Sequence, residues 1–304
     1  MKISSRLLPF AVLLVSLLWG SAFPAIKGIY AQWEMLGVEQ TMENRLLLAG
    51  LRFAVAGLIL LFLAKQPLKD FKATPKWPLL GFALGQTYFQ YILFYTALSV
   101  SSAVLGGLLT GLGSIWWLLL APLMLKTPWP NLKQWALISL AFVGVIIAVY
   151  RPGAGSGNPV MGATLFAGCT LSGALGLIIL NKVLKTMGAR SATGWGLLIG
   201  GVLLTLTGFQ AWGDLAQLFP LKVIGYSIYL VIVSAVGFSV WNYLTSLFSV
   251  NLLAGYRFFI PVCAVVLSTL LVEGETPGVG IWLGGSLVVI SLIILHREQH
   301  SADN

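Results

Sequence analysis

WPLLGFALGQTYFQYILFYTAL occupies residues 77–98, and VSSAVLGGLLTGLGSIWWLLLAPLM follows at residues 100–124. Both segments are apolar all round, and neither contains Asp, Glu, Lys, Arg or His. A bilayer core needs about 20 such residues per helix. The strands of a membrane β-barrel would alternate polar and apolar residues with period two, and these do not. In lipid every backbone polar group needs an internal partner, so segments of this kind are read as membrane-spanning helices.

The same reading extends to both ends of the chain. Spans are expected at roughly 9–30, 45–64, 77–98, 100–124, 132–150, 158–180, 192–212, 223–246, 251–272 and 278–295. Short linkers rich in Pro and charge separate them, such as Lys65-Gln66-Pro67 and Arg151-Pro152-Gly153. Lys2 and Arg6 followed by Gly20-Ser21-Ala22 have the outline of a signal peptide. The apolar run continues through Trp19 and Phe23 to about Tyr30, so a retained first helix is the better reading.

Composition agrees with this reading. Residues of the set AVILMFWYC make up 58% of the 304 residues and charged residues 9%, with a mean hydropathy of +0.92. A soluble domain carries about 25% charged residues, and nine per cent cannot coat two soluble domains. The net charge of +9 would otherwise suggest a nucleic-acid partner. Here it follows from Lys and Arg gathered in cytoplasmic loops. With the N-terminus inside, twelve loop cations fall on the cytoplasmic side, against Arg45, Arg151 and Lys222 outside. Ten spans return the tail, residues 296–304, to the cytoplasm. A plasma-membrane location follows as an expectation, in a bacterium the inner membrane.

The chain also repeats. At an offset of about 148, Tyr95 falls on Tyr243 and Ser101 on Ser249, and Thr127-Pro128 lies within one residue of Thr276-Pro277. Five spans is an odd number, so a second copy enters the membrane from the other side. That is the inverted-repeat construction of many secondary transporters. The expected fold is therefore all-α and integral to the membrane, with ten transmembrane helices in two inverted five-helix repeats, residues 1–150 and 158–295.

Trp19-Gly20-Ser21-Ala22-Phe23-Pro24-Ala25-Ile26-Lys27 resembles the first-helix signature of the EamA-type drug/metabolite transporters. Leu51-Arg52-Phe53, Tyr95-Thr96-Ala97-Leu98, Pro261-Val262 and Gly274-Glu275 are similar to that family in order and spacing. The resemblance implies solute transport, often export of amino acids or other metabolites, through a cavity lined by helices one, three, four, six, eight and nine. Three features depart from the family pattern. Gly113 stands where a mid-helix proline is common, Lys126 where an acid follows the fourth helix, and the loop Ala31–Asn44 looks long.

Several chemistries are disfavoured. There is no GxxxxGK[ST] phosphate loop, and Gly153-Ala154-Gly155-Ser156-Gly157 reads as a flexible connector. No Asp, Glu or His lies deep in a span, which argues against an intramembrane enzyme. Cys169 and Cys263 sit singly in apolar runs, so neither a metal nor another cofactor is expected. The expected partners are a small-molecule substrate and the bilayer, with no nucleic acid.

Candidate substrate residues are the polar groups in the spans. Lys27, Arg52 and Arg257 each cost about 2.5–3.5 kcal/mol at a helix centre, and the spans hold no carboxylate to pair them. Carbonyl groups, water or a bound anion must compensate them. Lys27 lies near the outer interface, where snorkelling is an equal reading. Glu273 and Glu275, at the outer end of helix nine, read as solvated or capping. Gln86 and Gln90 share a face, as do Tyr91 and Tyr95. Ser234, Ser239, Asn242 and Tyr243 occupy corresponding places in the second half. Interhelical hydrogen bonding and a substrate cavity are both open for this set, as packing and cavity lining are for Trp116. Pro24 and Pro261 are expected to interrupt helices one and nine, with a gating role open. The sum is a secondary transporter, an exporter or exchanger of a small polar or amphipathic metabolite (amino-acid-like or anionic), working by alternating access. The alternatives are a passive facilitator of the same architecture and a scaffold that transports nothing.

Overall fold

A computed structural model describes residues 7–126, 128–151, 153–154, 157–248, 252–253 and 256–302. Lys2, Arg6, Thr127, Pro152, Gly155, Ser156 and Ser249, used in the sequence reading, lie outside these. The described chain is helical nearly throughout. Its elements are α1 (Leu8–Met35), α2 (Met42–Phe62), α3 (Pro67–Ala73) and α4 (Lys76–Ala83), a π-helical segment (Leu84–Phe89), then α5 (Gln90–Val100), α6 (Ala103–Leu109), α7 (Leu112–Leu125) and α8 (Leu132–Tyr150). The second half holds α9 (Pro159–Val183), α10 (Ala189–Thr207), a 3₁₀ turn (Phe209–Asp214), α11 (Leu215–Leu218), α12 (Leu221–Leu247), α13 (Phe259–Leu271) and α14 (Val279–Ala302).

Among the described residues seven helices, counting Ala103–Leu125 as one, are long and apolar enough to cross a membrane. Two shorter apolar helices, Phe259–Leu271 and Val279–Leu295, accompany them. Large apolar side chains such as Phe10, Phe62, Ile146, Ile228 and Leu270 point outward, exposed. In water such a belt would drive association, whereas in lipid it is solvated. The molecule is an all-α, multi-pass membrane protein.

Local chemistry sets the helix starts. Thr41 accepts from the Asn44 amide at the start of α2, Ser102 from Leu105 at α6, and Asn158 from Met161 at α9. Asn131 and Gln134 form a reciprocal capping box on α8. Pro159 stands in the first turn of α9, where its missing N–H costs nothing.

Several sequence expectations are corrected. The loop Ala31–Asn44 is short, because α1 continues to Met35. α1 continues through Pro24 as one helix. In the ninth span the chain leaves helix at Arg257–Phe258 and resumes at Phe259, so Pro261 is the third residue of α13, in the turn where proline is tolerated. α14 continues as helix to Ala302, past the apolar stretch that ends at Leu295. Gly153-Ala154, expected in a flexible connector, forms a small antiparallel ribbon with Thr276-Pro277. Gly153 adopts φ +102°, a region closed to a β-carbon.

Packing is pairwise. α2 lies along α10 and α8 along α14. α1 packs on α13 and α12, while α9 packs on α7 and α5. Glycines make the first of these pairs close. Gly50 and Gly57 of α2 sit against the backbone of α10, and Gly194 and Gly201 return the contact, so a β-carbon at any of the four would clash. Two stretches leave regular geometry. The third span carries the π-helical turn at Leu84–Phe89. The fourth is pinched at Thr110–Gly111, where Thr110 N bonds Gly107 O and Gly113 N bonds Thr110 O in i→i−3 fashion. Both kinds of irregularity commonly mark functional positions inside helices.

Candidate functional site

The two irregular segments meet at an internal cavity of ≈ 90 Å³, room for several water molecules or a small organic group. Trp19, Ala22 and Phe23 of α1 line it, with Gln86, Gln90, Tyr91 and Phe94 from the third span and Thr110 from the fourth. From the second half come Phe166, Cys169, Thr170, Gly173 and Leu177 of α9, Phe238 of α12, Ile260 of α13 and Arg257 just before it. Arg52 of α2 also lines it, adding helix two to the six that the resemblance implied.

Most of the wall is aromatic. Phe23 and Phe94 lie with centroids 5.1 Å apart, Phe94 and Phe166 5.7 Å edge-on, and Tyr91 and Phe94 5.5 Å. Trp19 closes another side against Phe238 at 5.2 Å and Trp241 at 5.6 Å. Against these rings stand two guanidinium groups in quite different circumstances.

Arg52 is held by the protein. Its Nε donates to the Leu230 carbonyl at 3.1 Å and to Ser234 Oγ at 2.7 Å, and its Nη1 donates to Tyr95 Oη at 3.2 Å. Its guanidinium carbon lies 4.8 Å from the centroid of Phe53. Carbonyl and hydroxyl oxygens thus supply the compensation that no carboxylate provides. Arg257 is not held in this way. Its Nε is buried with no hydrogen-bond partner among the described residues, and its guanidinium carbon lies 5.5 Å from the Trp241 ring centroid. A β-carbon on Gly113 would stand 2.6 Å from Arg257 Nη2. The glycine that replaces a common proline therefore leaves the space this guanidinium occupies.

Of the residues singled out from sequence, Arg52, Gln86, Gln90, Tyr91 and Arg257 line one cavity. The others are near it or away from it. Asn242 lies behind Gln86: Gln86 Nε2 donates to Asn242 Oδ1 at 3.3 Å, and Asn242 Nδ2 donates to Gln86 Oε1 at 3.1 Å and to Thr193 Oγ1 at 3.0 Å. Tyr95 is fully buried and meets Arg52. Trp116 donates from Nε1 to the Ala167 carbonyl and to Thr170 Oγ1, both at 3.1 Å. Ser239 and Tyr243 line a different pocket, with Lys65, Asp70 and Arg190.

Lys27 is not in the cavity, and it does have an acidic partner, contrary to expectation. Its Nζ lies 3.6 Å from Glu275 Oε1 and donates to the Ser101 carbonyl at 3.0 Å. Glu275 is 7% exposed, so it is capping and not solvated. Its two oxygens accept from the Ala103 and Val104 amides at 2.9 and 3.0 Å, at the open start of α6. Pairing at a helix end escaped the search for acids deep inside the spans.

The α9 wall was missed because Phe166, Cys169, Gly173 and Leu177 are apolar or small. In a span such residues look the same whether they face lipid or a cavity. Spacing within α9 offers no signal, since polar and apolar residues show no clear face there.

The comparisons with known proteins agree with this architecture. Residues 7–150 and 160–297 each match the model of the EamA-like transporter family. The uncharacterized transporter YvbV of Bacillus subtilis (strain 168) is 27% identical over 303 residues, covering 97% of this chain and 92% of that protein. A solved crystal structure shares the fold with a TM-score of 0.67 at 15% identity, over 96% of this chain and 98% of the other. With two copies of the family domain filling nearly its whole length, the chain belongs to the EamA-like transporter family and is a multi-pass membrane transporter.

Proposed function

We propose that the protein is a secondary transporter working by alternating access, and that the aromatic cavity is where its cargo binds. The observation that carries this is the cavity itself: it lies between the two matched halves, and both halves line it. Transporters built from repeats hold their substrates at such a boundary. We read ten spans in two inverted five-helix repeats, residues 1–150 and 158–295. The packing supports this, because exchanging each helix with its counterpart turns the contacts of α1 with α13 and α12 into those of α9 with α7 and α5. α2 with α10 and α8 with α14 are then counterparts packed on each other.

The cargo is a small polar or amphipathic metabolite, exported or exchanged, in a plasma membrane with both termini in the cytoplasm. Aromatic walls suit an apolar body, and the cationic lining suits an anionic group. Transport needs no ATP hydrolysis by this chain, since no phosphate-cradling loop is present in the sequence. Protein reconstituted alone into liposomes should catalyse saturable counterflow of labelled cargo, screened first among amino acids and organic acids. Strict dependence on ATP, or flux that never saturates and shows no counterflow, would refute the reading.

A further inference from the structure

The polar groups around the cavity are lopsided. Of the buried side-chain polar atoms with no partner among the described residues, those on lining residues are Arg257 Nε and Trp19 Nε1. Both neighbour the Trp241 ring. The described lining contains no Asp, Glu or His. Its second cation, Arg52, already donates to Leu230, Ser234 and Tyr95. A buried guanidinium N–H without an acceptor is costly, and an oxyanion is the partner that satisfies it with most gain, through charge-assisted and often bidentate hydrogen bonds.

An ammonium group meets the opposite situation. It brings three donors and a charge and accepts nothing. The lining does offer it acceptors, the Gln90 amide oxygen and the hydroxyl oxygens of Thr110 and Thr170, whose own protons go to the Gly107 and Phe166 carbonyls. What counts against it is charge: Arg257 and Arg52 line the same cavity, and a third positive charge beside them would be repelled.

We propose that the cargo is an amphipathic organic monoanion, with a carboxylate held by Arg257 and an apolar body against the wall made by Phe23, Phe94 and Phe166. This excludes a zwitterion of the same skeleton. The inference rests on the transporter reading above and selects the anionic class over the amino-acid-like one. Gly113 belongs to the same device, because it leaves room for the guanidinium that reads the carboxylate.

Four probes that share one skeleton test it: 3-phenylpropionate, its neutral amide, phenylalanine and phenethylamine. Binding to purified protein is followed by tryptophan fluorescence and by thermal shift. 3-Phenylpropionate should bind about 10- to 100-fold more tightly than phenylalanine, the range expected for a single charge-assisted hydrogen bond. Phenethylamine should bind weakest. Arg257→Gln should bring the anion down to the level of the amide, and Arg257→Lys should restore part of the difference. Gly113→Ala keeps the charge but displaces the guanidinium, and should weaken the anion without affecting the amide. The melting temperature of each variant without probe separates lost recognition from lost folding.

Phenylalanine binding as tightly as 3-phenylpropionate would overturn the inference and leave the transporter reading intact. So would an anion preference unchanged in Arg257→Gln and Gly113→Ala. Silence from all four probes would also overturn it, and the transporter reading would then stand or fall on the counterflow experiment alone.

Discussion

Glu275→Gln is the most informative single change outside the cavity. The side chain joins three parts of the chain: the start of α6, Lys27 of α1, and the ribbon beginning at Thr276. Glutamine keeps the shape but has one acceptor oxygen in place of two. One of the Ala103 and Val104 amides is then left unpaired in a buried place, which costs about 1–3 kcal/mol. The negative charge at the helix start is lost too, about 0.3–1 kcal/mol. Breaking a fully buried pair costs about 3–5 kcal/mol. Lys27 is 15% exposed and keeps the Ser101 carbonyl, so only a fraction of that applies here. The net effect expected is about 2–4 kcal/mol against the closed arrangement of this end.

A loss of that size raises the open population by about 30- to 1,000-fold where opening is otherwise rare. The assay is the alkylation rate of a cysteine at Ser101, 2% exposed, in detergent-purified protein whose Cys169 and Cys263 have been replaced. Labelling should quicken at least about tenfold in Glu275→Gln. Adding Lys27→Met should change little further, because the two residues act as a unit. Labelling within about twofold of the parent, with an unchanged melting temperature, would refute the idea that this contact holds the end closed.

Other outcomes follow from the same geometry. Arg52→Gln should lower stability by about 1–3 kcal/mol by taking the donor from the Tyr95 hydroxyl, while the Leu230 carbonyl keeps Ser234, seen as reduced yield and melting temperature. Arg257→Gln should fold and lose cargo instead, so equal melting temperatures for the two variants would contradict this division. Asn242→Leu should cost about 1–3 kcal/mol through the stranded Gln86 amide; the double variant with Gln86→Leu should cost less than the two separate losses combined, and strict additivity would count against a shared network. An impermeant thiol reagent on intact cells should label a cysteine placed at Ser156 and spare one at Ser301. The reverse pattern would overturn the proposed orientation.

The sequence alone determined the solvent and the family. A chain with 9% charged residues and long all-apolar runs can satisfy its backbone only as helices in lipid. The signature from Trp19 to Lys27 pointed to the family that the two matched halves establish. Helix existence was legible because twenty apolar residues are a strong local signal. Helix ends were less so, as at Met35, where α1 outruns its apolar stretch into Gln32 and Glu34.

Partnership was decided by tertiary structure. Periodicity told that Gln86 and Asn242 avoid lipid, but which groups each would meet depends on how separate helices pack. Lys27 and Arg52 looked alike as uncompensated cations, and the fold gave one a carboxylate and the other a carbonyl and two hydroxyls. Arg257 was left open to the cavity beside Gly113. A sequence records the cost of placing a charge in a membrane; what compensates that charge lies on other helices, and their packing alone brings it within hydrogen-bond reach.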